Sequence, residues 1–178
     1  MPIDIVFETH STSEDNERGI ATGWLPGRLS ALGRDQARDL GRRRRDDDIA
    51  AVLCSDLARA VETASIALSG SSIPLLLDWR LRECDYGDRN GTSAAALHRD
   101  LRRHLGEPHP GGESWQQAVE RVGRMLSDLP PRWDGCRLLL IGHRATHWGL
   151  EVALSGASLE DLVEVPFHWR PGWLYRMP

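Results

Sequence analysis

The sequence predicts a three-layer α/β/α sandwich built around a mostly parallel central sheet. Short apolar runs at 3–7, 50–54 and 137–142 have the length and composition of buried strands. Segments with apolar residues at helical spacing separate these runs. Strands that alternate with amphipathic helices form βαβ units with parallel pairing and right-handed crossovers. Ligands of such sheets bind beyond the carboxyl ends of the strands, so we expect the chemistry to lie there.

The helices are predicted from spacing and from their capping residues. A first helix has a loose apolar stripe at positions 29, 32, 37 and 40, and Ser55 is a candidate N-cap for a second helix that runs to about 68. Ser114 and Gln117 form a capping-box start for a third. We also expect a strand at 73–77, helices at 145–154 and 158–163, and a C-terminal edge strand.

The region at about 78–112 contains many turn-forming residues around one short helix near 94–105. An insertion at this place is expected to cover a pocket at the sheet edge. The chain of 178 residues shows no internal repeat and no low-complexity linker, so the sequence predicts a single domain over 1–178.

Charge and composition exclude several classes of function. The formal net charge is −4 and 40% of the residues are hydrophobic, which is typical of a soluble globular protein and argues against nucleic acid as a partner. All 22 basic residues are arginine. Schiff-base chemistry and a P-loop are therefore excluded, because both need lysine.

The cysteines and the first residues indicate the cellular location. Three widely spaced cysteines without a CxxC pair predict neither a disulfide framework nor a thiolate metal site. Residues 1–7 contain an aspartate and no basic segment, so they do not resemble a signal peptide. No stretch approaches the ~18 apolar residues of a membrane span. We therefore expect a cytoplasmic protein without membrane association.

Residues with catalytic chemistry occur in five blocks, most of which follow predicted strands. They are Thr-His-Ser at 9–11, Ser-Asp-Leu-Ala-Arg-Ala at 55–60, Leu-Arg-Glu at 81–83, Gly-Gly-Glu-Ser at 111–114 and Gly-His at 142–143. In this order the blocks resemble the motifs of the histidine phosphatase superfamily, which has the phosphoglycerate-mutase-like fold. The likeness covers nearly the whole chain, including the turn at 22–24 and the stretch at 29–37.

The resemblance implies a role for each block. His10 matches the nucleophile that becomes phosphorylated, and Arg59 matches the phosphate-binding arginine, whose planar fork can hold two oxygens. His143 matches a second pocket histidine that donates a proton or a hydrogen bond to the phosphoryl group. Glu83 matches the acid that protonates the leaving oxygen; its alternative is a loop carboxylate paired with a neighbouring arginine, at 80 or 82. The resemblance also implies phosphate or substrate contacts for Asn16, Ser11, Thr22 and Gly23.

One position departs from the family motif. The family has Arg-His-Gly where this chain has Thr-His-Ser, so Thr9 replaces a second phosphate-binding guanidinium. Losing one positioned donor costs about 10²–10³ in rate when other donors remain. Either the activity is reduced or another arginine binds the phosphate. Arg144 is the nearest candidate, although it could equally be an exposed helix residue; further candidates are Arg18, Arg28 and Arg89.

Three other features have a chemical and a structural interpretation. His143, His147 and Glu151 have a spacing that could bind zinc, but the HExxH order is absent, and we predict no metal and no cofactor. The arginine run at 42–45 precedes three aspartates and is expected to be a solvated helix end. The remaining candidates form either an aromatic pocket wall or part of the core: Trp24, Trp115 and Trp148.

The sequence thus predicts a metal-independent phosphomonoesterase that hydrolyses a small phosphorylated metabolite through a phosphohistidine. One alternative is a weak pseudo-phosphatase that binds a phosphate ester or a partner; retention of Glu83 and His143 argues against it. The other is a non-hydrolytic mutase or isomerase of a biosynthetic pathway, for which the region at 80–112 is short. A homodimer is compatible with the sequence, which does not identify the substrate.

Overall fold

A five-stranded sheet forms the centre of the protein, which a computed structural model describes over residues 1–178. The strands of the chain are β1 (Ile3–Thr9), β2 (Ile20–Ala21), β3 (Ala51–Cys54), β4 (Leu75–Leu77), β5 (Thr92–Ser93), β6 (Arg137–Gly142) and β7 (Trp173–Met177). The α-helices are α1 (Glu14–Glu17), α2 (Ala31–Arg43), α3 (Ala58–Ala67), α4 (Ala94–Arg99), α5 (Trp115–Ser127), α6 (Pro130–Trp133), α7 (Arg144–Leu150) and α8 (Leu159–Leu162). Short 3₁₀ helices lie at Trp79–Leu81, Gly87–Arg89 and Arg103–Leu105, and a π-helical stretch covers Glu151–Ser155.

The central sheet has the strand order β4-β3-β6-β1-β7. Its first four strands are parallel, and β7 pairs antiparallel with β1 at the edge. The predicted α/β fold with a mostly parallel sheet is therefore confirmed, as is the C-terminal edge strand. The strands β2 and β5 form a separate two-stranded sheet.

Both faces of the central sheet are covered by helices because its strands are apolar on both sides. On one face, Phe7 packs in a core with Met125 of α5 and Leu150 of α7. On the other face, Val6 packs with Leu40 of α2 and with residues of α3. This double burial explains why the strands are continuous apolar runs instead of alternating patterns.

Of the two predicted capping residues, Ser114 is confirmed, and Ser30 caps a further helix for which no cap was predicted. The Ser114–Gln117 capping box begins α5, and the Ser30 hydroxyl accepts a hydrogen bond from the Gly33 amide at the start of α2. The prediction that Ser55 caps α3 is wrong. That helix begins at Ala58 without a side-chain cap, because the Ser55 hydroxyl is used in the site described below.

Two further predictions are corrected by packing. Leu32 was expected on the apolar stripe of α2, but it is 55% exposed. The arginine run was expected to be solvated, yet Arg43 and Arg44 both bind the Glu8 carboxylate, with Arg44 Nη2 2.7 Å from Glu8 Oε1. Glu8 is buried on β1, and a buried carboxylate needs charged partners of this kind.

Several element boundaries also differ from those predicted. The third predicted strand is shorter than 73–77, and the helix expected at 145–154 is divided into α7 and the π-helical stretch. No helix is both long and apolar enough to cross a membrane.

Candidate active site

Two histidines lie side by side at the carboxyl edge of the sheet. His10 follows β1 and His143 follows β6, and these strands are paired in parallel with Thr9 opposite Gly142. The ladder continues one residue further, because the His10 amide donates to the Gly142 carbonyl at 2.9 Å. The imidazole centroids are 4.9 Å apart. The backbone of the sheet therefore sets the distance between the two rings.

Arg59, on the first turn of α3, lies between the two histidines and is only 3% exposed. Its Nε donates to His10 Nε2 at 3.3 Å, and its Nη2 lies 3.0 Å from the Gly23 carbonyl and 3.2 Å from His143 Nδ1. Its Nη1 is buried and has no hydrogen-bond partner. Burial lowers the pKa of Arg59, which reflects the cost of holding a cation among so few acceptors.

The hydrogen bonds of His10 define which ring nitrogen is unprotonated. Nδ1 lies 2.7 Å from the Ser11 carbonyl and must donate to it, so Nε2 carries the free electron pair that faces Arg59. Burial, followed by the charge of Arg59, lowers the pKa of His10 to about 3. The ring is therefore neutral near pH 7 with Nε2 unprotonated, which is the form a nucleophile requires.

His143 is also buried, and its ring nitrogens have the opposite roles to those of His10. Its Nδ1 accepts from Arg59 and its Nε2 donates to the Ser55 hydroxyl at 2.9 Å. Burial and the Arg59 charge hold its pKa well below the usual value. We expected His143 to donate to a phosphoryl group, and in this arrangement Nδ1 becomes a donor only after it takes a proton.

The Glu83 carboxylate is held by backbone amides. Its Oε1 accepts from the Cys84 amide at 2.9 Å and from the Ala145 amide at 3.1 Å, while Oε2 makes no hydrogen bond. The Glu83 carbonyl is also fixed, by Trp24 Nε1 at 2.7 Å and Arg121 Nη2 at 2.8 Å. The carboxylate is thus oriented with one oxygen available to a reacting group.

Glu83 does not form the alternative ion pair with Arg80 or Arg82. Arg82 forms a two-pronged pair with Asp56, at 2.6 and 2.7 Å. Arg80 binds Asp78 and Asp128 instead.

Arg121 is a positioning residue that the sequence analysis missed. Its side chain is buried, and Nη1 donates to the carbonyls of Arg80 and Arg82 at 2.7 and 2.8 Å. Its Nη2 also binds Glu113 Oε1 at 2.5 Å. The signal was present, because Arg121 stands at helical spacing from buried apolar residues of α5, three after Ala118. A charged residue at a core position of a helix indicates a buried partner.

A cavity of about 490 Å³ opens at this edge of the sheet. Nine of the ten predicted site residues line it, and the exception is Ser11. The Ser11 amide donates to Thr63 Oγ1 at 3.0 Å, and its carbonyl accepts from His10. Ser11 therefore holds the His10 ring in place from outside the cavity. The nine lining residues are Thr9, His10, Asn16, Thr22, Gly23, Arg59, Glu83, His143 and Arg144.

The turn at 22–23 needs glycine for a geometric reason. Gly23 has a φ of +56°, and a Cβ there would lie 1.7 Å from Asn90 Oδ1. In this conformation the Gly23 carbonyl accepts a hydrogen bond from Arg59 Nη2. The neighbouring Thr22 hydroxyl donates to Asp15 at 2.8 Å, which fixes the other side of the turn.

Arg144 is the remaining candidate for the arginine that position 9 lacks. It lines the cavity and forms no ion pair, and its guanidinium lies 5.8 Å from the Phe167 ring. The other three candidates are each paired with a carboxylate. Arg18 and Arg28 are exposed and bind Asp15 and Glu14, and the half-buried Arg89 binds Asp100.

The other candidate residues have structural surroundings. His147 stacks on Phe7 at 5.7 Å and approaches Glu151, whereas the nitrogens of His143 are directed to other partners. The tryptophans divide between both expected roles: Trp115 lines the cavity and packs 4.5 Å from the core residue Trp148, and Trp24 lies behind Glu83.

The comparisons with known proteins agree with this geometry. The family model of the histidine phosphatase superfamily (branch 1) matches residues 5–170. A 2,3-bisphosphoglycerate-dependent phosphoglycerate mutase of Methylobacterium sp. is 33% identical over 173 residues, which cover 89% of this chain and 83% of the relative.

Solved structures have the same fold. Bacillus stearothermophilus YhfR superposes with a TM-score of 0.85 at 26% identity, and the alignment covers 95% of this chain and 88% of the YhfR chain. The α-ribazole phosphatase of Shigella flexneri gives a TM-score of 0.80 at 25% identity, with 95% and 87% coverage. This chain therefore belongs to the histidine phosphatase superfamily.

Proposed function

We propose that the protein hydrolyses small phosphate monoesters through a phosphohistidine formed on His10. The observation that carries this proposal is the arrangement of Arg59 between two neutral imidazoles, with Nη1 buried and unpaired. An anion at this place would satisfy the guanidinium and lie beside His10 Nε2. A phosphoryl group suits the planar fork of arginine, and the neighbouring unprotonated nitrogen can attack its phosphorus.

In the first step, His10 Nε2 attacks phosphorus and the bond from phosphorus to the ester oxygen breaks. The substrate enters as the monoanion and passes its proton to the free Oε2 of Glu83, which delivers it to the leaving oxygen. As the phosphoryl group enters, Arg59 exchanges its weak contact with His10 for phosphate oxygens. His143 loses its donor and becomes more basic, so its Nδ1 takes a proton from solvent and donates a hydrogen bond to the phosphoryl group. This proton returns to solvent when phosphate leaves.

In the second step, water attacks the phosphorus of the phosphohistidine. Glu83, now a carboxylate, takes a proton from this water, and the bond between phosphorus and His10 Nε2 breaks. Inorganic phosphate leaves as the monoanion with the proton that Glu83 took from water, and both residues return to their starting states. Charge is stabilised throughout by Arg59 and His143, so the proposed reaction requires no metal ion.

The test is phosphate release from para-nitrophenyl phosphate in excess EDTA. We expect turnover in EDTA, loss of turnover in His10→Asn, and an acid-labile, base-stable phosphoryl adduct after rapid quenching. His168→Asn, at an exposed position outside the cavity, is the matched control and should retain the activity. Turnover that needs an added divalent metal, or that survives in His10→Asn, would contradict the proposal.

A mutase is the second candidate, because curated relatives of this chain are phosphoglycerate mutases. The two activities differ in the acceptor of the phosphoryl group, which is water for a phosphatase and a second substrate hydroxyl for a mutase. Incubation with 3-phosphoglycerate and 2,3-bisphosphoglycerate distinguishes them. We expect inorganic phosphate as the product, whereas 2-phosphoglycerate formed without phosphate release would favour the mutase. Binding of phosphate esters with neither product would indicate a pseudo-phosphatase.

A further inference from the structure

A buried histidine in the same cavity has no hydrogen-bond partner. His109 is 3% exposed, and neither Nδ1 nor Nε2 makes a hydrogen bond. Buried side-chain polar atoms are nearly always paired, so an unpaired imidazole requires an explanation. None of the residues assigned to phosphoryl transfer contacts it through a hydrogen bond.

The position of His109 is fixed by its surroundings. Its ring stacks on His104 at 3.8 Å between centroids and meets Tyr86 edge-on at 5.3 Å. Its backbone amide and carbonyl bind Glu113 and Gly112, respectively. Burial lowers the pKa of His109 to about 4, so near pH 7 the ring is neutral and offers one donor and one acceptor.

The wall around His109 is apolar. Leu97, Leu101 and Trp115 line the cavity beside it and form one buried cluster with Tyr86. Tyr86 also connects this wall to the proposed phosphate site, because it lines the same cavity as Glu83 and Arg59. His109 is therefore a buried hydrogen-bonding group on an otherwise apolar surface.

Fixed charges line the cavity only near the proposed phosphate site. They are Glu83, Arg59 and Arg144, the first two of which have roles in phosphoryl transfer. Beside the apolar wall, Arg89 is already paired with Asp100 at 3.0 Å, and the remaining ionisable side chain is His98 of α4, which lines the cavity. The wall therefore has no unpaired guanidinium for a second anionic group. A leaving group with a carboxylate or a second phosphate would lie against this wall without a partner, at a high desolvation cost.

We propose that His109 selects the leaving group, so that the cavity binds the phosphate monoester of a flat, largely apolar alcohol that carries an uncharged hydrogen-bonding group. The aromatic and aliphatic wall binds the flat part, and the imidazole binds the polar group. This inference rests on the proposed function for the position of the phosphate, but it concerns binding and not turnover.

Phosphonates test the inference without hydrolysis, because their carbon–phosphorus bond is not cleaved by this chemistry. Calorimetry of the intact protein would compare naphthylphosphonate, a set of its ring-hydroxylated isomers and 3-phosphonopropionate. We expect the best hydroxylated isomer to bind about fivefold more tightly than naphthylphosphonate, as one neutral hydrogen bond provides. Both should bind at least about tenfold more tightly than the carboxylate-bearing compound.

His109→Phe is a clean variant, because it keeps an aromatic ring in the stack and removes no hydrogen bond of the folded protein. It should abolish the preference for the hydroxylated isomer and change the affinity for naphthylphosphonate by no more than about twofold. His109→Gln, which restores a donor and an acceptor, should recover part of the preference. His168→Phe is the matched control and should leave all affinities unchanged.

The inference is wrong if the wild-type protein shows no preference for a hydroxylated isomer, if His109→Phe retains that preference, or if 3-phosphonopropionate binds as tightly as the aryl compounds. Failure of every phosphonate to bind would also overturn it. Turnover of para-nitrophenyl phosphate is measured separately. Turnover without the binding preference supports the proposed hydrolysis and refutes the role of His109. The binding preference without turnover supports the role of His109 and refutes the proposed hydrolysis.

Discussion

Replacing Arg121 with methionine should destabilise the protein strongly, although the residue is outside the cavity. The substitution removes donors from the carbonyls of Arg80, Arg82 and Glu83, and it leaves the Glu113 carboxylate without its cation. Removing one partner of a buried ion pair costs about 3–5 kcal/mol. Because the Glu113 side chain is 17% exposed and can gain some water, we expect a loss of about 3 kcal/mol in the free energy of unfolding.

The measurement is urea unfolding of the wild type and of three variants. Arg124→Met, at an exposed position on the same helix, is the matched control and should lie within about 0.5 kcal/mol of the wild type. Arg121→Met with Glu113→Gln should recover about 1–2 kcal/mol relative to Arg121→Met alone, because it removes the unpaired charge. A loss below about 1 kcal/mol in Arg121→Met would refute the reasoning, as would the absence of any recovery in the double variant.

Three further predictions concern the reacting groups. The pKa of His10 is about 3 in the folded protein and near 6.5 in the unfolded chain, so the free energy of unfolding falls as pH falls through this window. Between pH 7 and pH 5 the wild type should lose about 2 kcal/mol from this histidine, and His10→Asn should not show this part of the loss. Glu83→Gln should slow alkyl phosphates far more than aryl phosphates, because a phenolate leaves without a full proton; an equal loss for both classes in steady-state assays would assign Glu83 a positioning role. If Arg144 replaces the missing arginine, Arg144→Ala should cost about 2–4 kcal/mol of transition-state stabilisation in kcat/KM and Thr9→Arg should not raise it. If the site lacks a donor, Thr9→Arg should instead raise kcat/KM by about 10- to 100-fold, and a change below about twofold in both variants would exclude position 9 from the phosphate shell.

The main strands, and the histidines that follow two of them, could be predicted because both depend on local sequence pattern. Apolar runs define β1 and β6, and each run leads directly into a histidine, so the topology brings His10 and His143 together. Arg59 could be assigned only through the family resemblance. From spacing alone, an arginine on the first turn of a helix is indistinguishable from a solvated one.

What the sequence could not predict arises from contacts between distant segments. The Ser55 hydroxyl is a good N-cap by local criteria, but its contact with His143 joins residues 88 positions apart. Arg44 similarly belongs to a charged run, and only the fold places it against Glu8, which is buried on β1. His109 shows no local signal at all, since its lack of partners is defined by the surrounding wall.

The hydrogen-bond ladder that holds His10 beside His143 is continuous with the central sheet, whereas the part of the wall around His109 that contains Leu97 and Leu101 consists of short segments. The helix α4 has six residues, and a 3₁₀ helix and turns follow it. A change of length or sequence between 94 and 110 would leave the pairing of Thr9 with Gly142 untouched. The proposed phosphoryl transfer and the proposed choice of leaving group thus depend on separable parts of the chain. Exchanging the segment at 94–110 for that of another family member should redirect this scaffold to a different ester while its means of transferring phosphate is retained.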